Sequence, residues 1–212
     1  MGDLKDVLHE QLHRQRAALL AKLDGLSERD ARAPRTPTGT NLLGLVKHCA
    51  VVELGYFGPV FARRSTLTFP WDAPGASPRD NLDMFATQDE SMTNVLSYAR
   101  ACFEHADATI RALPLDAWGA VPWWPEDRRA VTLGQILVHV ALDEARHAGH
   151  ADILREQLDG TTGLHGRGNN MPEWDAAHWQ TYVTRLQRIA DACLDAPHVV
   201  HDGVTPLSGD PR

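Results

Sequence analysis

The sequence predicts an all-α fold, a four-helix bundle with long connections and an additional C-terminal helix. Three observations predict it. Apolar residues recur at three- and four-residue spacing over long segments, stretches rich in Pro and Gly separate those segments, and no run alternates strongly enough to demand a sheet. At 212 residues and 43% hydrophobic content the chain suits one sizeable core. One domain is expected over residues 1–195, with a frayed tail at 196–212.

The first helix is expected over residues 3–26, where Leu4, Val7, Leu8, Leu12, Leu19, Leu20, Leu23 and Leu26 form an apolar stripe. Prolines, a glycine and several cap residues in APRTPTGTN (33–41) break the chain, which restarts at Thr40 or Asn41. A second helix follows at about 41–63, with Pro59 expected to kink its last turn. The segment 69–81, FPWDAPGASPRDN, reads as a surface loop leading to a third helix at about 82–112 that Pro114 ends. Trp118, Trp123 and Trp124 lie among prolines in a long connection, after which Thr132 caps a fourth helix at 133–158, stopped by Asp159-Gly160. A glycine-rich loop (161–172) and a fifth helix at about 173–194 complete the chain.

The composition excludes several classes of partner. A formal charge of −7 argues against nucleic acid and against a membrane surface, both of which reward a basic face. The charged, amphipathic start MGDLKDVLHEQLHRQR lacks the apolar core of a signal peptide, so a cytoplasmic location is expected. Cys49, Cys102 and Cys193 form no CxxC pair and are read as buried free thiols.

Two helices carry polar residues on their apolar faces. In the fourth, Leu133, Ile136, Leu137, Val140, Ala151, Leu154 and Leu158 form the stripe, and His147 falls near its centre. Asp143 and Glu144 flank that stripe on opposite sides one turn earlier, so either carboxylate could converge with the imidazole; the four-residue spacing slightly favours Asp143. In the second, His48 sits on the flank beside Leu45 and Val52, and Glu53 lies amid Leu42, Val46, Cys49, Tyr56 and Phe57. A buried carboxylate needs a partner, and a shared metal would supply one. The plainer alternative is that these are ordinary core histidines bonded to carbonyls or to Glu53, because a D/E-x3-H spacing is common.

The stretch VTLGQILVHVALDEARHAGHADILREQLDG (131–160) resembles the last bundle helix of the DinB-like superfamily, in its actinobacterial DUF664-type branch, and NLLGLVKHCAVVELGYFG (41–58) resembles that family's second-helix motif. WPEDRRAVTL, before the last helix, is also similar, and the run from Arg146 to Glu156 is the most specific part. The resemblance implies a metal held by His48, Asp143 and His147, with Asp143 standing where relatives carry His or Glu, which leaves Glu144 as the other candidate ligand. His139 and His150 are read as outer groups around such a site.

Three protein ligands with an open position describe a catalytic rather than a structural metal; N and O donors suit Zn first, and also Ni, Mn or Fe. The resemblance further implies a transferase that uses a low-molecular-weight thiol, mycothiol or a similar one, against a small electrophile, with Trp123, Trp124 or the glycine-rich loop lining the acceptor pocket. Two alternatives stand beside it. One is a metal-dependent hydrolase with Glu144 or Glu53 as general base, and the other a non-catalytic metal- or ligand-binding stress protein. A homodimer is compatible with each.

Overall fold

The computed structural model describes residues 2–163 and 171–193, and the chain falls into two compact units, Met1–Asn169 and Asn170–Arg212. The expected tail at 196–212 and most of the glycine-rich loop lie outside the described residues. The first unit contains α1 (Leu4–Ala21), α2 (Glu28–Arg32), α3 (Leu42–Phe57), α4 (Met92–Ala112) and α5 (Leu133–Asp159). The second contains α6 (Ala176–Asp191). The fold is all-α, with one two-stranded antiparallel ribbon of β1 (Trp118–Ala120) and β2 (Ala130–Thr132) among the described residues.

Local chemistry sets the helix ends. Asp3, Asn41, Ser91 and Thr132 each accept a backbone N–H of the first turn, and Thr132 forms a capping box with Gln135. Gly160 closes α5 at a φ of 76°, a left-handed conformation that favours glycine. The predicted second helix is shorter than expected. It ends at Phe57, and Pro59 opens a separate 3-10 turn, Pro59–Phe61, where its missing N–H costs nothing. The third helix begins at Met92 rather than near 82, because residues 82–91 take an irregular path that Ser91 ends.

Within the first unit α3 packs against both α4 and α5, and α1 packs against α5. Nearly every side of α3 is buried, as its apolar composition requires. One apolar cluster gathers Leu19, Leu42, Leu45, Val46, Phe103 and Leu154; another gathers Leu12, Phe57, Ile110, Leu133, Ile136 and Val140. A polar layer falls between them in sequence on three helices. Arg16 lies between Leu12 and Ala18, Glu53 between Ala50 and Phe57, and Glu144 between Val140 and Ala148.

Arg16 forms a two-pronged ion pair with Glu53, donating from Nε to Oε1 at 2.6 Å and from Nη2 to Oε2. Its Nη1 donates to Asp107 Oδ1 at 2.6 Å, and its guanidinium carbon lies 4.9 Å from the centre of the Phe103 ring. Although burial works against the charge, the Glu53 carboxylate raises the pKa of Arg16 and keeps it ionised. Glu53 and Glu144 are both 0% exposed. Burial, and next the Glu53 charge, pushes the Glu144 carboxyl well above the usual range, which favours its neutral form. Glu53 is near enough to act on it by charge and hydrogen bonding, although neither Glu144 oxygen has a partner at ordinary hydrogen-bond geometry.

In the second unit, Asp175 caps α6 through the His178 N–H, and Trp174 packs on Trp179 and Tyr182 with ring centres 4.8 and 5.4 Å apart. Cys49 and Cys102 are buried as expected, whereas Cys193, just past α6, is exposed.

Glu53→Ala strips the buried guanidinium of its two-pronged partner, and removing one member of a buried pair costs about 3–5 kcal/mol. Urea unfolding should therefore show a large loss for Glu53→Ala and a smaller one for Glu144→Gln, which keeps the neutral shape. Equal losses would contradict the charge assignment.

Candidate metal centre

His48 projects from α3 and reaches a segment that no sequence pattern places beside it. Its Nδ1 lies 2.7 Å from Asp83 Oδ2, which sits in the irregular stretch before α4. A carboxylate there accepts the Nδ1 proton and so leaves Nε2 with its lone pair. Burial works against ionisation of Asp83, but the hydrogen bond and charge of His48 hold its carboxyl below the ordinary value.

Several contacts fix this segment. Gly44, one turn before His48, admits the Met84 carbonyl so closely that a Cβ at that position would lie 1.9 Å from its oxygen. Asn41 Nδ2 donates to the same oxygen at 3.1 Å. Lys47 Nζ donates to Phe85 O at 3.1 Å and pairs with Glu90 at 2.7 Å. Arg32 of α2 donates to the carbonyls of Ala86, Thr87 and Glu90. A short helix invisible to periodicity thus anchors the loop that orients His48.

Asp143 and His147 come from α5, one turn apart. His147 Nε2 lies 3.6 Å from Asp143 Oδ1, and His48 Nε2 lies 3.9 Å from Asp143 Oδ2. The two imidazole rings are 4.7 Å apart and steeply inclined at 73°. One donor atom from each of His48, Asp143 and His147 falls within 4.8 Å of the others, a spacing that a cation could share. Asp143 Oδ2 and His147 Nδ1 are buried without a hydrogen-bond partner. Burial, and next the nearby His48 charge, pulls His147 down to about 4, so its imidazole is neutral at neutral pH.

The two adjacent carboxylates of α5 therefore part. Asp143 turns toward the histidines, and Glu144 turns into the polar layer with Glu53. Glu53, read from sequence as a metal partner or base, is taken by Arg16. Among the outer histidines, His150 is exposed with its ring 5.5 Å from that of His147. His139 lies 3.2 Å from the Tyr56 hydroxyl, to which Trp124 Nε1 also donates at 3.2 Å. Trp124 and His139 line an open groove of about 730 Å³ with Arg128, Val131, Gln135 and Val138. Trp123 packs edge-on against Tyr56 instead, with ring centres 5.3 Å apart.

Two imidazoles and a carboxylate converge here from facing helices, a donor set of the kind that could hold a cation. The mycothiol-S-transferase family model matches residues 7–160, and the chain belongs to this family, within the DinB-like superfamily. No curated protein matches it significantly. No helix among the described residues is long and apolar enough to cross a membrane.

The His147 shift sets a pH dependence for the metal-free protein. Its folded pKa of about 4 lies below the ordinary 6.5, so between those values the unfolded chain binds a proton that the folded one refuses. The contribution of this group is complete above that window and is lost as the pH falls through it. Urea midpoints measured from about pH 7 down to about pH 4 should drop less steeply in His147→Asn than in the parent; parallel profiles would contradict the assignment.

Proposed function

We propose that this protein is a divalent-metal-dependent S-transferase that joins a low-molecular-weight thiol, mycothiol or a close analogue, to a small electrophile. The observation that carries the reading is the convergence of His48, Asp143 and His147 around buried donor atoms that no protein group satisfies. The donor set suits Zn, and also Ni, Mn or Fe. Held by these three residues, the ion supplies the positive charge that keeps a thiol sulfur deprotonated near neutral pH.

The chain's own groups prepare that site. Asp83 holds His48 with its Nε2 lone pair available, burial keeps His147 neutral, and Asp143 contributes the single negative charge. The thiol proton leaves to solvent, and the sulfur–carbon bond forms as the bond from that carbon to its leaving group breaks. The groove beside Trp124 and His139 offers an aromatic wall for the electrophile. Glu53 and Glu144 take no part in this chemistry, because neither meets solvent and Arg16 occupies Glu53. The same burial weighs against the hydrolase alternative, which needs one of them as general base.

Metal analysis should find one equivalent fewer than in the parent in His48→Ala, His147→Ala and Asp143→Ala and no loss in Glu144→Gln. Thiol consumption in the presence of mycothiol and an aryl halide should follow the metal content. Hydrolysis without thiol would favour the alternative enzyme, and metal lost only from the Glu144 variant would overturn the ligand set. Asp83→Asn removes a carboxylate that orients a ligand, and such losses weaken metal affinity by about 10–100-fold. Competition with a chromogenic chelator measures that change, and an unchanged affinity would deny Asp83 this role.

A further inference from the structure

A second group of donors converges on another pair of helices. His9 and His13 lie one turn apart on α1, and Asp107 faces them from α4. His13 Nε2 is 3.0 Å from His9 Nε2 and 3.3 Å from Asp107 Oδ2, and His9 Nε2 is 2.8 Å from Asp107 Oδ1. Two ligands of a tetrahedral zinc ion, each about 2.1 Å from it, sit roughly 3.4 Å apart. The 3.3 Å between His13 Nε2 and Asp107 Oδ2 is close to that value, and the two separations that involve His9 are shorter by a few tenths of an ångström. A pair of histidines four residues apart on one helix is also a recognised zinc-binding arrangement.

Proton accounting points the same way. In a neutral imidazole one nitrogen donates and the other accepts, so His9 Nε2 can donate to His13 or to Asp107 and not fully to both. Two imidazole nitrogens facing each other at 3.0 Å also require one of them to carry the shared proton. A cation satisfies both lone pairs and the carboxylate together. The neighbouring cations are accommodated. Arg16 holds Asp107 through Oδ1 and is itself neutralised by Glu53, while Arg111 stands 3.8 Å from Oδ2. Oδ2, beside His13, remains available for the ion.

We infer that His9, His13 and Asp107 form a second divalent-metal site, of the zinc type, that shares no residue with the His48 centre. The site bridges α1 and α4, which are joined chiefly by side chains: His9 and Arg16 to Asp107, and Lys5 Nζ to the Arg111 carbonyl at 3.1 Å. An ion there ties the two helices together and stabilises the folded state, because binding to the native form alone raises its stability. The side chain of His13 is 45% exposed, which gives the ion access from solvent and makes the residue safe to replace.

Equilibrium dialysis of the full chain against Zn²⁺, followed by metal analysis, tests the inference. The parent is expected to hold two equivalents, His13→Ala and His147→Ala one each, and the double variant none. Zn²⁺ should also raise the melting temperature of His147→Ala, and that rise should vanish when His9 or His13 is replaced in it. A His147→Ala protein that binds no zinc, or a zinc content that His13→Ala leaves unchanged, overturns the second site. If His147→Ala instead keeps the parent's full content and His13→Ala loses it, the second site stands and the proposed catalytic ligand set fails.

Discussion

The ion pair between Arg16 and Glu53 constrains the bundle more than any other interaction. A buried carboxylate and guanidinium are costly to desolvate, so they must meet with good geometry or not be buried at all. Their meeting fixes α1 against α3, and Glu144 brings α5 to the same layer as a neutral carboxyl. Successive residues on a helix point about 100° apart. With Glu144 turned into the layer, Asp143 and His147 are carried to the edge of α5 that faces His48. The candidate metal centre is in this sense set by a polar contact that takes no part in it.

The other half of the site depends on backbone passing close to backbone. Gly44 lets the segment before α4 lie directly on α3, and Lys47 and Arg32 hold it there. Asp83 consequently meets His48 from a rigid position, which favours one tautomer and one ring orientation. A site supported this way needs little reorganisation to accept a cation.

The sequence made the long helices legible because each carries an apolar stripe over several turns, and Thr132 and Gly160 mark the ends of α5 in plain view. α2 and the ribbon of β1 and β2 were not legible. Five- and three-residue elements are too short for any period to register, and the ribbon pairs tryptophan-bearing chain that reads as loop. His48 and His147 could be found as interruptions of apolar faces, and it is Asp143, where helical spacing was nearly indifferent, that lies beside them. Glu53 was recognisable as a buried acid in need of a partner, yet Arg16 lies 37 residues away on another helix and nothing in the pattern pairs them. Asp83 was hidden for the same reason. The histidines of α1 did carry a signal, the four-residue spacing of His9 and His13, on a helix whose apolar stripe drew the reading elsewhere.

The burial of two cysteines bears on how such a protein survives its own chemistry. Cys49 adjoins His48 in sequence, and burial holds its thiol well above the usual range. Burial likewise pushes Cys102 up to about 12. Both remain protonated and enclosed, and a protonated thiol is a poor nucleophile. Under the proposed reading, an electrophile entering the first unit meets no competing sulfur from Cys49 or Cys102. Alkylation of the catalyst and mixed disulfides with the soluble thiol are both suppressed at these positions, so repeated turnover need not end in self-inactivation there.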